Sequence, residues 1–353
     1  MDEDHGDPRL ADRIRALTGA RHPVAAAVVS PGGTRIACVG AGPAGLGTTA
    51  GSTGGVTAGS AADGALGAGL DADFEIGSIS KGVTGLLYAE ALARGEIGAG
   101  TTLGELLPLG DAPAGRVTLD SLSVHRSGLP RIPPSADMWR RTFALWRHGT
   151  NPYGEDLGRL LDQTRGVRVG RPRPRYSNLG FELLGHALAR AAGTTYAELV
   201  RLRVTDPLGL GCFYLPATAE ELRPGAVRGT NRKGRPQEPW TGEALGPAGG
   251  IRADIRSMAR LTEALLDGSA PGLAALDPVA PLGTGTRIGA AWITLQVKGL
   301  TVTWHNGGTG GFRSWLGLDR ATGTGVVVLS ATTTSVDRHG FALLTGRDDD
   351  LRT

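Results

Sequence analysis

The chain has 353 residues, a length that fits one large domain or two closely joined ones. Hydrophobic residues at 40% and charged residues at 20% exclude an intrinsically disordered chain, and the pattern supports no collagen, coiled-coil or solenoid architecture. The formal net charge is only +3 and the basic residues are scattered, so a nucleic-acid footprint is not evident. Apolar runs such as Val326–Leu329 fall far short of the ~20 residues that cross a bilayer.

The opening Met1-Asp2-Glu3-Asp4-His5 is acidic and lacks the basic and apolar regions of an export signal, which predicts a cytoplasmic protein without a membrane partner. Residues 8–18 place Leu10, Ile14 and Leu17 at i, i+4, i+7 before Gly19 and predict an amphipathic helix. Pro23–Val29 and Thr34–Val39 read as strands joined by Ser30-Pro31-Gly32-Gly33. Cys38 and Cys212, far apart and without metal-ligand spacing, read as reduced core residues.

Eleven of the 31 residues from Gly40 to Leu70 are glycine, which predicts a mobile surface loop. Gly40, Gly42 and Gly45 match the G-x-G-x-x-G phosphate fingerprint, but that mechanism needs a helix directly afterwards to meet the pyrophosphate. Residues 47–69 carry no apolar periodicity, so dinucleotide binding is set aside.

From Ser78 to Ala93, Ile79, Val83, Leu86, Leu87 and Ala91 recur at helical spacing. Residues 96–284 read as helices with Pro/Gly-rich connections, the clearest being Leu179–Ala192. Ile288–Val297, Thr301–His305, Phe312–Asp319 and Gly325–Ala331 are strand-like, and a last helix covers Val336–Leu344. Strands at both ends with helices between them predict an α/β (α+β) fold. Its sheet region would comprise 1–95 and 285–353, its helical region 96–284, with the active site at their interface.

Phe74-Glu75-Ile76-Gly77-Ser78-Ile79-Ser80-Lys81 contains S-x-x-K, a serine with a lysine one helical turn later on the same face. A serine hydroxyl is a poor nucleophile until a neighbouring base takes its proton, and a lysine can be that base if burial disfavours its charged form. Metal chemistry is disfavoured, because the seven histidines show no paired ligand spacing.

The octet resembles the nucleophile motif of the serine β-lactamase and penicillin-binding-protein superfamily, particularly its class C β-lactamase-like branch. Further segments resemble that branch in the same order: Val124-His125-Arg126-Ser127-Gly128-Leu129-Pro130, then Arg175-Tyr176-Ser177-Asn178 as a Y-x-N motif, then Pro247-Ala248-Gly249-Gly250-Ile251. Trp304-His305-Asn306-Gly307-Gly308 resembles the third motif, and the coverage runs from about residue 20 to 335. The resemblance implies an antiparallel sheet flanked by helices and a reaction without cofactor or metal. It implies that Ser78 attacks an ester or amide carbonyl to form an acyl-enzyme, with Lys81 and Tyr176 sharing the proton transfers. Asn178 would hold a substrate amide, His305 and Asn306 would border the substrate, and the backbone N–H groups of Ser78 and Gly308 would form the oxyanion hole.

Two departures narrow the expectation. Most β-lactamases carry K-T-G where this chain has His305-Asn306-Gly307, so a β-lactam carboxylate loses a fixed cation, while esters, amides and peptides without one become suitable. The missing export signal makes peptidoglycan an unsuitable substrate and favours an intracellular esterase, amidase or acyltransferase. Arg165, Arg168, Arg171, Arg173 and Arg175 lead into Tyr176 and suggest a basic lip for an anionic substrate or an acidic acyl-carrier partner. The polar segment 223–247, with Trp240, is a candidate cover for the cleft. The main expectation is a serine hydrolase, with an acyltransferase or peptide-bond-forming enzyme as its rival and a silent binding module as the reading from another class. His125 reads as structural.

Overall fold

Helix α1 (Pro8–Thr18) starts where the Asp7 side chain accepts the Leu10 N–H and stops at Gly19, whose φ of +70° suits a residue without a Cβ. The computed structural model describes residues 6–19, 21–40, 69–98, 100–133, 138–297 and 299–346. The expected loop between Gly40 and Leu70, with Gly42 and Gly45 of the fingerprint, lies almost wholly outside them. Strands β1 (Val24–Ser30) and β2 (Gly33–Val39) form the predicted hairpin.

Strand β3 (Asp73–Glu75) leads into helix α2 (Ile79–Ala93). The middle of the chain supplies helices Met138–His148, Leu157–Arg165, Asn178–Ala191 and Ile255–Asp267, together with short strands β4 (Phe213–Tyr214) and β5 (Arg252–Asp254). Strands β6 (Ala280–Gly283), β7 (Thr286–Ile288), β8 (Ile293–Val297), β9 (Leu300–Gly308), β10 (Arg313–Asp319) and β11 (Thr324–Ser330) precede a last helix, Asp337–Thr345. Among the described residues, one antiparallel sheet has the order β2-β1-β11-β10-β9-β8-β7-β6, so its centre joins the two ends of the chain.

Alternation along the strands divides the core. Val24, Ala26 and Val28 of β1 with Val326 and Val328 of β11 face Leu10 and Ile14 of α1 and Leu343 of the last helix. Ala25, Ala27, Val327 and Leu329 face the other way, into the main core with Ile79, Val83, Leu86 and Leu87 of α2. Both faces are covered, which explains why these strands read as continuous apolar runs. Gly85 lets α2 press against the turn between β7 and β8, because a Cβ there would stand 2.1 Å from the Ala290 carbonyl oxygen.

The structure departs from the sequence expectation in short elements. Ile288–Val297 is two strands, parted by a turn in which the Gly289 N–H meets the Trp292 carbonyl and Ala291 takes a φ of +68°. β9 continues through Asn306, Gly307 and Gly308, since its pairing with β10 outweighs the glycines' local preference. The middle region is not helical throughout: β3, β5 and β4 form a second, three-stranded sheet, and β6 extends the large one. Strands of two to four residues are too short for an alternation to register. Cys38 and Cys212 are buried free thiols, and burial pushes both up to about 12. Among the described residues, no helix is long and apolar enough to cross a membrane.

Candidate active site

Ser78 is the N-cap of α2 and Lys81 lies one turn into it, an arrangement that the i, i+3 spacing dictates once the helix forms. Gly77 makes the entry possible. Its φ is +52°, and a Cβ would lie 2.6 Å from the Gly308 nitrogen, so only glycine lets the Ser78 turn meet β9 this closely. A Cβ on Gly307 would in turn stand 3.0 Å from the Ser78 nitrogen. The backbones of Gly77–Ser78 and Gly307–Gly308 are therefore in contact, and the Ser78 N–H, at the first turn of a helix, has no carbonyl four residues back.

Lys81 is fully buried. Its Nζ donates to Ser78 Oγ at 3.1 Å and to the Ala248 carbonyl at 2.5 Å, and lies 4.8 Å from the centroid of the Tyr176 ring. The Tyr176 hydroxyl, 98 positions away in the chain, donates to Ser78 Oγ at 2.6 Å. Two side chains, one from α2 and one from the turn before the helix Asn178–Ala191, thus converge on the Ser78 oxygen, and Ser78 is half-buried in an otherwise buried turn.

Tyr176 stands just before the helix Asn178–Ala191, where Ser177 caps by accepting the Gly180 N–H at 2.9 Å. The spacing Y-x-N puts the tyrosine outside the helix and Asn178 on its first residue. His125 supports this corner. Its ring lies 4.6 Å from that of Tyr176, and its Nδ1 accepts the Ser177 N–H at 3.3 Å. Burial, then the nearby Lys81, pushes His125 well below the ordinary histidine range, so it is a neutral acceptor and a structural residue.

The remaining expected residues are placed differently from one another. Asn178 Nδ2 donates to the Tyr153 hydroxyl at 3.1 Å, while its Oδ1 is buried without a hydrogen-bond partner among the described residues. His305 faces the Lys81 side of β9, 1% exposed, with Nδ1 against the Asn306 carbonyl at 2.6 Å. Asn306, one residue on, turns to the other face of the strand. Its Nδ2 donates to both carboxylate oxygens of Asp337, at 3.2 and 3.1 Å, so its side chain does not border the site as expected. Among the described residues there is no cluster of His, Cys, Asp and Glu that could hold a metal.

Burial, helped by Lys81, lowers His305 from its ordinary 6.5 to about 4. The folded protein keeps it neutral while the unfolded chain takes up a proton below about pH 6.5. Its contribution to stability is therefore complete above pH 6.5 and is lost as the pH falls through about 4. Between pH 7 and 5 this amounts to about 2 kcal/mol. Urea midpoints at the two pH values are expected to differ less in His305→Asn than in the parent protein, and equal pH sensitivity would count against a buried neutral imidazole.

Sequence reasoning missed a buried ion cluster in the strands next to Ser78. Arg252 of β5, fully buried, donates from Nε to Asp73 Oδ1 at 2.7 Å and from Nη1 to Glu75 Oε1 at 3.2 Å. Nη2 reaches the carbonyls of Asp73 and Val227 at 3.0 and 3.1 Å. Glu75 Oε1 also accepts the Trp240 N–H at 2.9 Å, and the Trp240 ring lies 4.8 Å from that of Tyr153. Trp240 of the 223–247 segment thus reaches Asn178 by way of Tyr153. Glu75 stood in the quoted octet and Arg252 directly after the Pro247–Ile251 landmark, but nothing local marked them as partners.

Fold and converging site together describe a protein of the serine β-lactamase class. The Beta-lactamase family model matches residues 10–345, and the chain belongs to that family. The unguisins hydrolase ungD′ of Aspergillus campestris is 26% identical over 65% of this chain and 45% of its own length. The D-alanyl-D-alanine-carboxypeptidase/endopeptidase AmpH of Escherichia coli K12 is 31% identical over 40% of this chain and 36% of its own. The matched region thus spans less than half the length of these two relatives. A class C β-lactamase structure from Rhodobacter sphaeroides superposes with a TM-score of 0.73 at 19% identity, covering 96% of this chain and 98% of that one.

Proposed function

We propose that the protein cleaves an ester, amide or peptide bond through an acyl-enzyme on Ser78. The observation that carries this reading is the position of Ser78 Oγ, within hydrogen-bond distance of Lys81 Nζ and of the Tyr176 hydroxyl at once. Ser78 Oγ bonds to the scissile carbonyl carbon as its proton passes to the Lys81–Tyr176 pair. The carbonyl oxygen takes the electron pair and is held by the N–H groups of Ser78 and Gly308. Collapse of the tetrahedral species expels the leaving group, which receives the proton, and water repeats the sequence to release the acid.

The third motif supports a substrate without a carboxylate at that position. A buried neutral imidazole stands where a fixed cation would pair with one. The names of the relatives, a hydrolase and a peptidase, agree with acyl transfer to water, but fold alone decides no substrate.

Intact mass and p-nitrophenol release test the reading with a panel of p-nitrophenyl esters and a penicillin. The parent protein is expected to turn over esters and to gain no penicillin adduct, and Ser78→Ala to do neither. Ester turnover unchanged in Ser78→Ala would sink the acyl-enzyme, and a stable penicillin adduct would sink the carboxylate argument.

A further inference from the structure

Some arginines of this protein meet a carboxylate, as Arg141 meets Glu155 at 2.8 Å and Arg203 meets Glu96 at 2.7 Å. Within the Arg/Pro run the residues behave differently. Arg165 is spent on Asp162 and on the Pro108 carbonyl. Arg171, Arg173 and Arg175 form no ion pair among the described residues, yet line one cavity of about 250 Å³ with Gly128 and Gly170.

The local sequence explains the arrangement. Pro172 and Pro174 hold the arginines before them away from helical geometry, and residues 170–176 run without turn or bend. The segment is laced to the 125–131 stretch, through Gly170 N–H to the Gly128 carbonyl and Arg175 N–H to the His125 carbonyl, both at 2.9 Å. Gly128 lets the two segments approach this closely, since a Cβ there would lie 2.3 Å from the Gly170 oxygen. The three side chains are exposed, and three like charges around one pocket make the local potential positive and attract an anion. One guanidinium fork satisfies a carboxylate, whereas three match the three terminal oxygens of a phosphate monoester.

We propose that Arg171, Arg173 and Arg175 form a subsite for a phosphate group carried by the acyl substrate, remote from the bond that Ser78 attacks. The proposal rests on the acyl-enzyme reading above and names its substrate class. Arg175 precedes Tyr176 directly, and five residues of extended chain put Arg171 at most about 18 Å from Tyr176. A substrate that bridges from the phosphate to Ser78 is therefore a chain-like acyl compound with a phosphorylated end.

The test compares p-nitrophenyl hexanoate with p-nitrophenyl 6-phosphonooxyhexanoate at low salt, where charge contacts are least screened. The phosphorylated ester is expected to have about tenfold higher kcat/KM, mostly through KM, and Arg171→Gln and Arg173→Gln to reduce that ratio severalfold. Arg168→Gln, outside the cavity, is expected to leave the ratio unchanged. A ratio near one, or one that survives both cavity variants, overturns the proposal. Inorganic phosphate that alters hydrolysis of the neutral ester, without any advantage for the phosphorylated one, would show a free-ligand site and overturn it too. Calorimetry with 6-phosphonooxyhexanoate, in the parent protein and in Ser78→Ala, reads the subsite without turnover, so its failure and that of the acyl-enzyme are separate results.

Discussion

Lys81→Met is expected to lower turnover of a p-nitrophenyl ester by roughly a thousandfold or more while leaving the fold intact. Lys81 Nζ touches Ser78 Oγ and the Ala248 carbonyl, and a thioether of similar reach fills the space but takes no proton. The Ala248 carbonyl loses a donor, a cost of about 1 kcal/mol, against which the variant no longer buries an amine. The measurement pairs kcat/KM with a urea midpoint. Activity within tenfold of the parent, at an unchanged midpoint, would remove Lys81 from the proton transfers and leave Tyr176 as the base. A collapsed midpoint would instead make Lys81 a structural residue.

Arg252→Met should produce the largest loss of stability, about 3–5 kcal/mol, because it leaves two buried carboxylates without their cation. Asp73 is fully buried and Glu75 is 3% exposed. The same change frees Glu75 from Arg252 and weakens the hold on Trp240, so ester KM is expected to rise along with the fall in midpoint. Arg252→Lys keeps the charge but cannot supply the four separate contacts that the guanidinium makes, and should recover only part of the loss. A midpoint unchanged in Arg252→Met would show that the cluster contributes nothing net.

The Ser78–Lys81 pair was legible because its geometry is local. Ser78 and Lys81 are one helical turn apart, and the apolar spacing from Ile79 to Ala91 already implied the helix that puts them on one face. Tyr176 and Asn178 were legible only through the resemblance, since Y-x-N has no periodicity and its meaning lies in Ser177 capping a helix between them. Asn306 shows the limit of motif reading: adjacent residues on a strand face opposite ways, and whether His305 or Asn306 faces the nucleophile depends on the register of β9 with β10.

Composition and periodicity thus determined a globular fold with a sheet drawn from both ends of the chain, because long apolar runs and helical spacings carry their own signal. Tertiary structure alone decided that Arg252 neutralises Asp73 and Glu75, that Trp240 leans on Tyr153, and that three of the arginines in one run share a cavity while Arg165 pairs with Asp162. Residues up to 179 positions apart make the contacts of the first of these. Such long-range pairs cost loop-closure entropy rather than local propensity, and so leave no mark in the spacing of neighbouring residues.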